Sequence, residues 1–189
     1  GLDAGHYRET RFDPITETPM TLDRNLAILT ARGAAYMDRS NDPLNPTRGY
    51  RLDLSVQPTA VTGEDNVFFL RNLATASAYL PVTDGDRTVL AGRVRIGSII
   101  GGQESTVPSD RLFFSGGGGS VRGYSYQSIN PRWPDNSPRG RLSLFETSFE
   151  VRRDIGEKFQ AVAFVDAGAV GFQETPNLTN MRYGAGVGV

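Results

Sequence analysis

The sequence predicts an all-β fold, an antiparallel meander of about eight long strands. Three observations carry this. Apolar and polar residues alternate with period two over long segments, and successive strand side chains point to opposite faces. The alternating segments run for roughly 10 to 16 residues, well beyond the soluble mode of about 5 or 6. Composition agrees: 22 glycines, no cysteine and 38% hydrophobic residues describe an ordered, turn-rich chain without a disulfide scaffold or thiolate metal site.

The expected strands cover residues 1–12, 24–38, 48–58, 65–80, 86–100, 141–154, 158–170 and 180–189. The segment 50–58 shows the pattern most cleanly. Tyr50, Leu52, Leu54 and Val56 take one face, while Arg51, Asp53, Ser55 and Gln57 take the other. In 88–100, Leu90, Val94, Ile96 and Ile100 share a face opposite Arg93 and Arg95. In 141–153, Phe145, Thr147, Phe149 and Val151 oppose Glu146, Ser148, Glu150 and Arg152. Asp84-Gly85 and Gly156 mark tight turns, so neighbouring strands run antiparallel. The chain opens and stops inside strand-like sequence, and both termini read as cut.

Period two is shared by a soluble sandwich and a membrane barrel. Strand length and loop asymmetry favour the barrel. The connections at one end include a very long loop, Gly101 to Gly140, and the other end holds the tightest turns. Membrane barrels have short periplasmic turns and long outer loops. Absence of any apolar run of about 18 residues excludes a transmembrane helix and leaves a barrel open. With 20 basic and 21 acidic residues there is no electrostatic footprint for nucleic acid.

A loop this long inside a compact fold signals function. It carries Arg111-Leu112-Phe113-Phe114-Ser115, four glycines at 116–119, then Ser120-Val121-Arg122-Gly123-Tyr124. Four glycines alone read as a flexible tip. A phosphate-binding loop is not supported, because no Lys-Ser/Thr follows. Val121-Arg122-Gly123-Tyr124 resembles the signature at the tip of the inward-folded loop of the BamA/TamA outer-membrane barrel superfamily, also described as the bacterial surface antigen barrel domain. Further matches follow in order. Phe164-Val165-Asp166-Ala167-Gly168 resembles that family's motif on its thirteenth strand, and Glu150 its acidic residue on the twelfth. Asn45 to Leu52 resembles a turn-to-strand segment of the same superfamily and leans toward TamA rather than BamA.

The resemblance implies that residues 1–189 are part of a C-terminal, sixteen-stranded outer-membrane barrel domain, strands seven to fourteen, with loop 101–140 folded inward. The family's lateral gate and its upstream periplasmic repeats then lie outside this chain. An open sheet is expected rather than a closed small barrel. The implied function is assembly and insertion of β-barrel or autotransporter clients at the bacterial outer membrane. Lipid and unfolded client proteins are the partners, and an inner-membrane or periplasmic partner is reached through the N-terminal domains. A two-partner-secretion translocation pore of the same superfamily is the alternative.

Physical chemistry gives the motif a role independent of the family. A guanidinium is a rigid five-donor fork that carboxylates accept bidentately. Arg122 carried into a lumen needs such partners, because an unpaired buried charge is costly. Asp166, beside Gly168, and Glu150 offer them from neighbouring strands. Gly123 either approaches a wall or takes positive φ, and Tyr124 adds apolar area with a polar tip. The plainer alternative is an exposed loop arginine. Arg93 and Arg95 are expected to line the lumen and pair with Glu146 or Glu150. Trp133 is expected to anchor the loop's return leg. His6, the sole histidine, makes a Ser-His-Asp triad hard to build and reads as a wall or surface residue. Asp13 and Glu17 read as solvated. No catalytic residue, metal or cofactor is expected, and the protein is not expected to be an enzyme.

Overall fold

The computed structural model describes residues 2–12, 16, 18–63 and 66–189. Nine antiparallel strands form one sheet: β1 (Leu2–Phe12), β2 (Pro19–Thr30), β3 (Gly33–Asp38), β4 (Gly49–Gly63), β5 (Val67–Pro81), β6 (Thr88–Ile100), β7 (Ser143–Ile155), β8 (Phe159–Gly171) and β9 (Arg182–Gly188). Neighbours in sequence are neighbours in space, with order β1-β2-β4-β5-β6-β7-β8-β9 and β3 also on β4. This is the predicted meander, and its ladder is open between β1 and β9 among the described residues. Among the described residues helix is confined to single 3₁₀ turns at Asp84–Asp86 and Ser109–Arg111. No described helix is long and apolar enough to cross a membrane.

The expected strand at 24–38 is interrupted. β2 pairs β4 down to Thr30 opposite Thr59, and β3 resumes at Gly33 opposite Val56 in the same register. Pro58 lies in the gap. It has no N–H to give the ladder, which therefore breaks there, although the Ala31 N–H still donates to the Pro58 carbonyl at 3.1 Å. Asp13 and Glu17 lie outside the described residues, and the His6 side chain does too.

Register fixes two faces. Leu54 pairs Ala74 and Ala35, Ile96 pairs Ala74 and Phe145, and Phe149 pairs Gly92 and Val165. The outer face so defined is bare: Leu52, Leu54, Val56, Val94, Ile96 and Phe149 are all exposed, and Phe145 and Val151 are partly exposed. Exposed Tyr50 lies toward the tight-turn end of that face, and Phe68 toward the long-loop end. The inner face carries Arg51, Ser55, Ser77, Arg93, Arg95, Glu146, Ser148, Glu150 and Asp166.

The inner face is not polar throughout. Toward the long-loop end, Leu26, Ile28, Val61, Phe69, Ile99 and Leu144 form an apolar patch across β2 to β7. The loop, residues 101–142, covers this patch with Val107, Leu112, Phe113 and Leu142, all buried. The Phe113 ring packs against Gly97, where an added Cβ would sit 2.5 Å from it. Arg71 stacks over the same ring at 4.4 Å and donates from Nε to the Arg111 carbonyl at 2.9 Å. The loop therefore serves as the second layer that an isolated sheet lacks.

At the opposite end the turns are braced to each other. Gly156 takes φ +69° in the β7–β8 turn and Gly85 takes φ +70° in the β5–β6 turn. Arg48 donates from Nη2 to Asp86 Oδ1 at 2.6 Å, and Thr47 Oγ1 donates to Oδ2 at 2.8 Å. Arg48 first, then Thr47, holds the Asp86 carboxyl below its ordinary pKa. A folded pKa below the unfolded value of about 3.9 means that the brace stabilises the fold above that pH. Its contribution disappears as pH falls through the folded pKa. Carboxyl NMR should show Asp86 titrating below that reference, and Arg48→Ala should move its midpoint upward. An unmoved midpoint would show that the brace is absent in solution.

Candidate functional site

β7 forms the inner wall on which the long loop is threaded. Descending from the long-loop end, its inner positions are Leu144, Glu146, Ser148 and Glu150. Leu144 belongs to the apolar seal. The next three meet the loop tip in turn, so the tip reaches well down the wall.

Arg122 sits at the deepest contact. Its Nε donates to Asp166 Oδ2 at 2.7 Å and its Nη2 to Asp166 Oδ1 at 2.7 Å, the bidentate fork. Nη1 donates to Glu150 Oε1 at 2.6 Å, and Nη2 also reaches Ser148 Oγ at 3.0 Å. The Arg122 backbone N–H donates to Asp166 Oδ2 at 3.0 Å. The guanidinium lies 3.6 Å from the centre of the Phe164 ring. Asp166 is almost fully buried, and the side chains of Arg122 and Glu150 are 27% and 17% exposed. Asp166 pushes the Arg122 pKa up; burial opposes this, and Glu150 adds to the rise. Glu150 in turn accepts from Arg152 Nε at 2.8 Å, so it bridges two guanidinium groups.

Glycines make room for this seat. An added Cβ on Gly168 would come 2.6 Å from buried Val121. On Gly184 of β9 it would come 2.1 Å from the Arg122 carbonyl oxygen, a distance no atoms tolerate. Gly186 similarly clears the Phe164 ring. Gly123 has φ +89° and nothing within 4 Å of an added Cβ, so its turn geometry, not wall contact, calls for glycine. Tyr124 donates its hydroxyl to the Tyr183 carbonyl at 3.2 Å on β9.

Further residues hold the loop. Arg95 Nη1 donates to Glu146 Oε2 at 3.3 Å. Arg93 takes a different partner from the one expected, donating to the loop carbonyls of Gly119 and Ser120 at 3.1 and 3.0 Å. A carbonyl can replace a carboxylate here because the glycine tip presents bare backbone beside it. Buried Asn130 ties the two legs, accepting from the Ser115 N–H at 2.8 Å and donating to the carbonyls of Phe113 and Arg139. Glu104 pairs with both Arg139 and Arg141 at the loop's mouth. Trp133 stacks on Phe12 of β1 at 5.4 Å, with Arg139 over its ring at 4.2 Å.

Sequence reasoning missed Asn130, Ser115, Ser120 and Gly184. Gly184 and Gly186 alternate in one strand, and that spacing is the signal of a wall thinned on one face. A buried asparagine in a loop leaves no comparable trace. Below the tip a polar cavity of about 210 Å³, lined in part by Ser77, Tyr79, Arg93, Ser148 and Arg152, borders Arg122 and Glu150. Among the described residues no group of three or more His, Cys, Asp or Glu is placed to hold a metal ion. The arrangement fastens the loop to four adjacent strands, β6 to β9.

A sequence model of the Omp85 superfamily domain matches residues 16–189. Among solved structures, the fold is similar to that of BamA from Haemophilus ducreyi lacking POTRA domains 1-3, with TM-score 0.67 and 18% identity. The match covers 94% of this chain and 38% of the BamA chain.

Two measurements test the lock. In a double-mutant cycle, Arg122→Ala and Asp166→Ala should couple by about 1 to 3 kcal/mol, since the residues form one network. Arg122→Lys should recover little of that, because a point charge cannot replace the planar fork; additive effects would remove the lock. Independently, Gly184→Ala should displace the Arg122 carbonyl at a cost of about 1 to 3 kcal/mol. Hydrogen exchange at the Arg122 amide should accelerate, while the β7–β8 ladder amides remain protected.

Proposed function

The chain belongs to the Omp85 superfamily, and from that membership we propose that it builds part of a bacterial outer-membrane barrel that folds and inserts β-barrel clients, autotransporters included. The single observation that carries this reading is the loop lock. A long loop is fastened by Arg122 to Asp166 and Glu150 on the inner face of a wall whose outer face is a bare apolar band. Such a wall suits lipid outside and a wet, internally braced lumen inside.

The proposed mechanism needs no covalent step, metal or cofactor, and we propose that the protein is not an enzyme. A client strand adds to a barrel seam by backbone pairing, that is, by β-augmentation. The client's own hydrogen bonding and apolar burial in lipid supply the driving force. The braced wall keeps the lumen's shape while the seam opens elsewhere. Asn45 to Leu52 lean toward TamA rather than BamA. We further propose that a periplasmic or inner-membrane partner is reached through domains preceding the barrel.

Reconstitution of the intact protein in vesicles tests this. Arg122→Ala should lower the client insertion rate while the barrel itself stays folded, and Arg122→Lys should restore it poorly. Phe149→Arg, on the outer band, should cost about 2 to 4 kcal/mol of barrel stability if that residue lies near the bilayer midplane. If Arg122→Ala spared insertion but abolished export of a soluble secreted partner, the translocation-pore alternative would replace this reading.

A further inference from the structure

Glu146 is the most buried carboxylate beside the loop, its side chain fully covered. Neither Arg122 nor the cavity below the tip involves it. Its Oε2 accepts from Arg95 Nη1 at 3.3 Å. Its Oε1 accepts from two hydroxyls of the loop, Ser115 Oγ at 2.8 Å and, in a shorter contact, Ser120 Oγ. These serines immediately flank the four glycines at 116–119. The two ends of the glycine segment therefore converge on one carboxylate oxygen.

The neck is closed by backbone bonds as well. The Gly116 N–H donates to Ser120 Oγ at 2.8 Å, and the Ser120 N–H donates to the Gly117 carbonyl at 3.0 Å. The Ser115 N–H is held by Asn130. Four consecutive glycines left alone would sample many conformations. Tied at the neck, they form a closed tip of defined length. Arg122 follows Ser120 by two residues, so where the neck is clipped decides how far the guanidinium reaches down β7. Gly168, opposite Glu146 on β8, leaves space for Val121 between clip and lock.

We propose that Glu146 is a positioning residue that sets the depth of the loop tip, by gathering Ser115 and Ser120 onto its carboxylate and thereby placing Arg122 at Asp166 and Glu150. The link to client insertion rests on the function proposed above; the positional claim does not. Hydrogen bonds to a charged acceptor are stronger than those between neutral groups, so two of them on one carboxylate oxygen hold the tip seated.

The test uses the intact protein in vesicles with a reporter thiol, Val121→Cys. These 189 residues contain no cysteine, any cysteine elsewhere in the protein would be replaced, and residue 121 is fully buried while the tip is seated. Glu146→Ala should raise the rate of maleimide labelling at position 121 at least about tenfold. Ser115→Ala with Ser120→Ala should raise it comparably while leaving the Arg95 pairing of Glu146 intact, which covers the case in which Glu146→Ala fails to fold. Adding Glu146→Gln to the double-serine variant should change labelling no further, because the carboxylate acts through those hydroxyls. Unchanged labelling in the double-serine variant, or a further rise when Glu146→Gln is added to it, would overturn the proposal. Faster labelling with client insertion unaltered would support the positional role and count against the insertion function alone.

Discussion

An arginine held between two carboxylates on adjacent strands is the constraint around which this structure is arranged. The Arg122 guanidinium fills both oxygens of Asp166 and one of Glu150. Removing water from three charged groups is costly unless each is paired and hydrogen-bonded. The wall meets that condition from several directions: Ser148 and the Arg122 backbone N–H complete the set, and Phe164 offers a ring face. The arginine is placed to reach these partners because the loop descends along β7, and it descends because the wall beside it is thinned at Gly168 and Gly184.

The same loop answers a second need. A single sheet with one bare face has only its other face on which to bury apolar area. Here that burial is local. Phe69, Ile99 and Leu144 are sealed by Val107, Leu112 and Phe113 near the loop's mouth, and polar contacts take over toward its tip. Apolar burial is strong but does not dictate position, whereas the carboxylate contacts are geometrically exacting. The seal accordingly holds the loop against the wall, and Glu146, Asp166 and Glu150 decide where along the wall it stops.

Most of the architecture was legible because barrel walls advertise themselves by alternation. Tyr50 to Val56 and Phe145 to Val151 assign faces without any tertiary information. The pairing of Arg122 with Asp166 and Glu150 was accessible for a similar reason: both acids fall on the inner parity of adjacent strands. What alternation does not encode is contact between a loop and a wall. The apolar patch around Phe69 looked like ordinary strand sequence, since nothing local says that a distant loop covers it. The interruption at Pro58 has a readable cause, a missing N–H, yet the register passes through it unchanged. Arg93 was expected to seek a carboxylate and found backbone carbonyls, because a run of glycines leaves its own acceptors uncovered.

Nearest-neighbour ladders alone leave a sheet of this width free to spread or curl with little change in any single pairing. The loop removes much of that freedom. It reaches Phe12 of β1 through Trp133, β2 to β7 through the apolar seal, β8 through Asp166 and β9 through Tyr124 and Gly184. One chain segment between β6 and β7 thus spans from the first strand to the last. Twist accumulates from strand to strand in any sheet, so a tie across the whole width sets curvature in a way that nearest-neighbour ladders cannot. The two salt-bridged ends of the tie, Glu104 with Arg139 and Arg141 at the mouth and Arg122 at the tip, make it a strut of set length. A strut inside the wall leaves the outer face largely free of structural duty, and through its middle that face is apolar, from Leu52, Leu54 and Val56 across Val94 and Ile96 to Phe149.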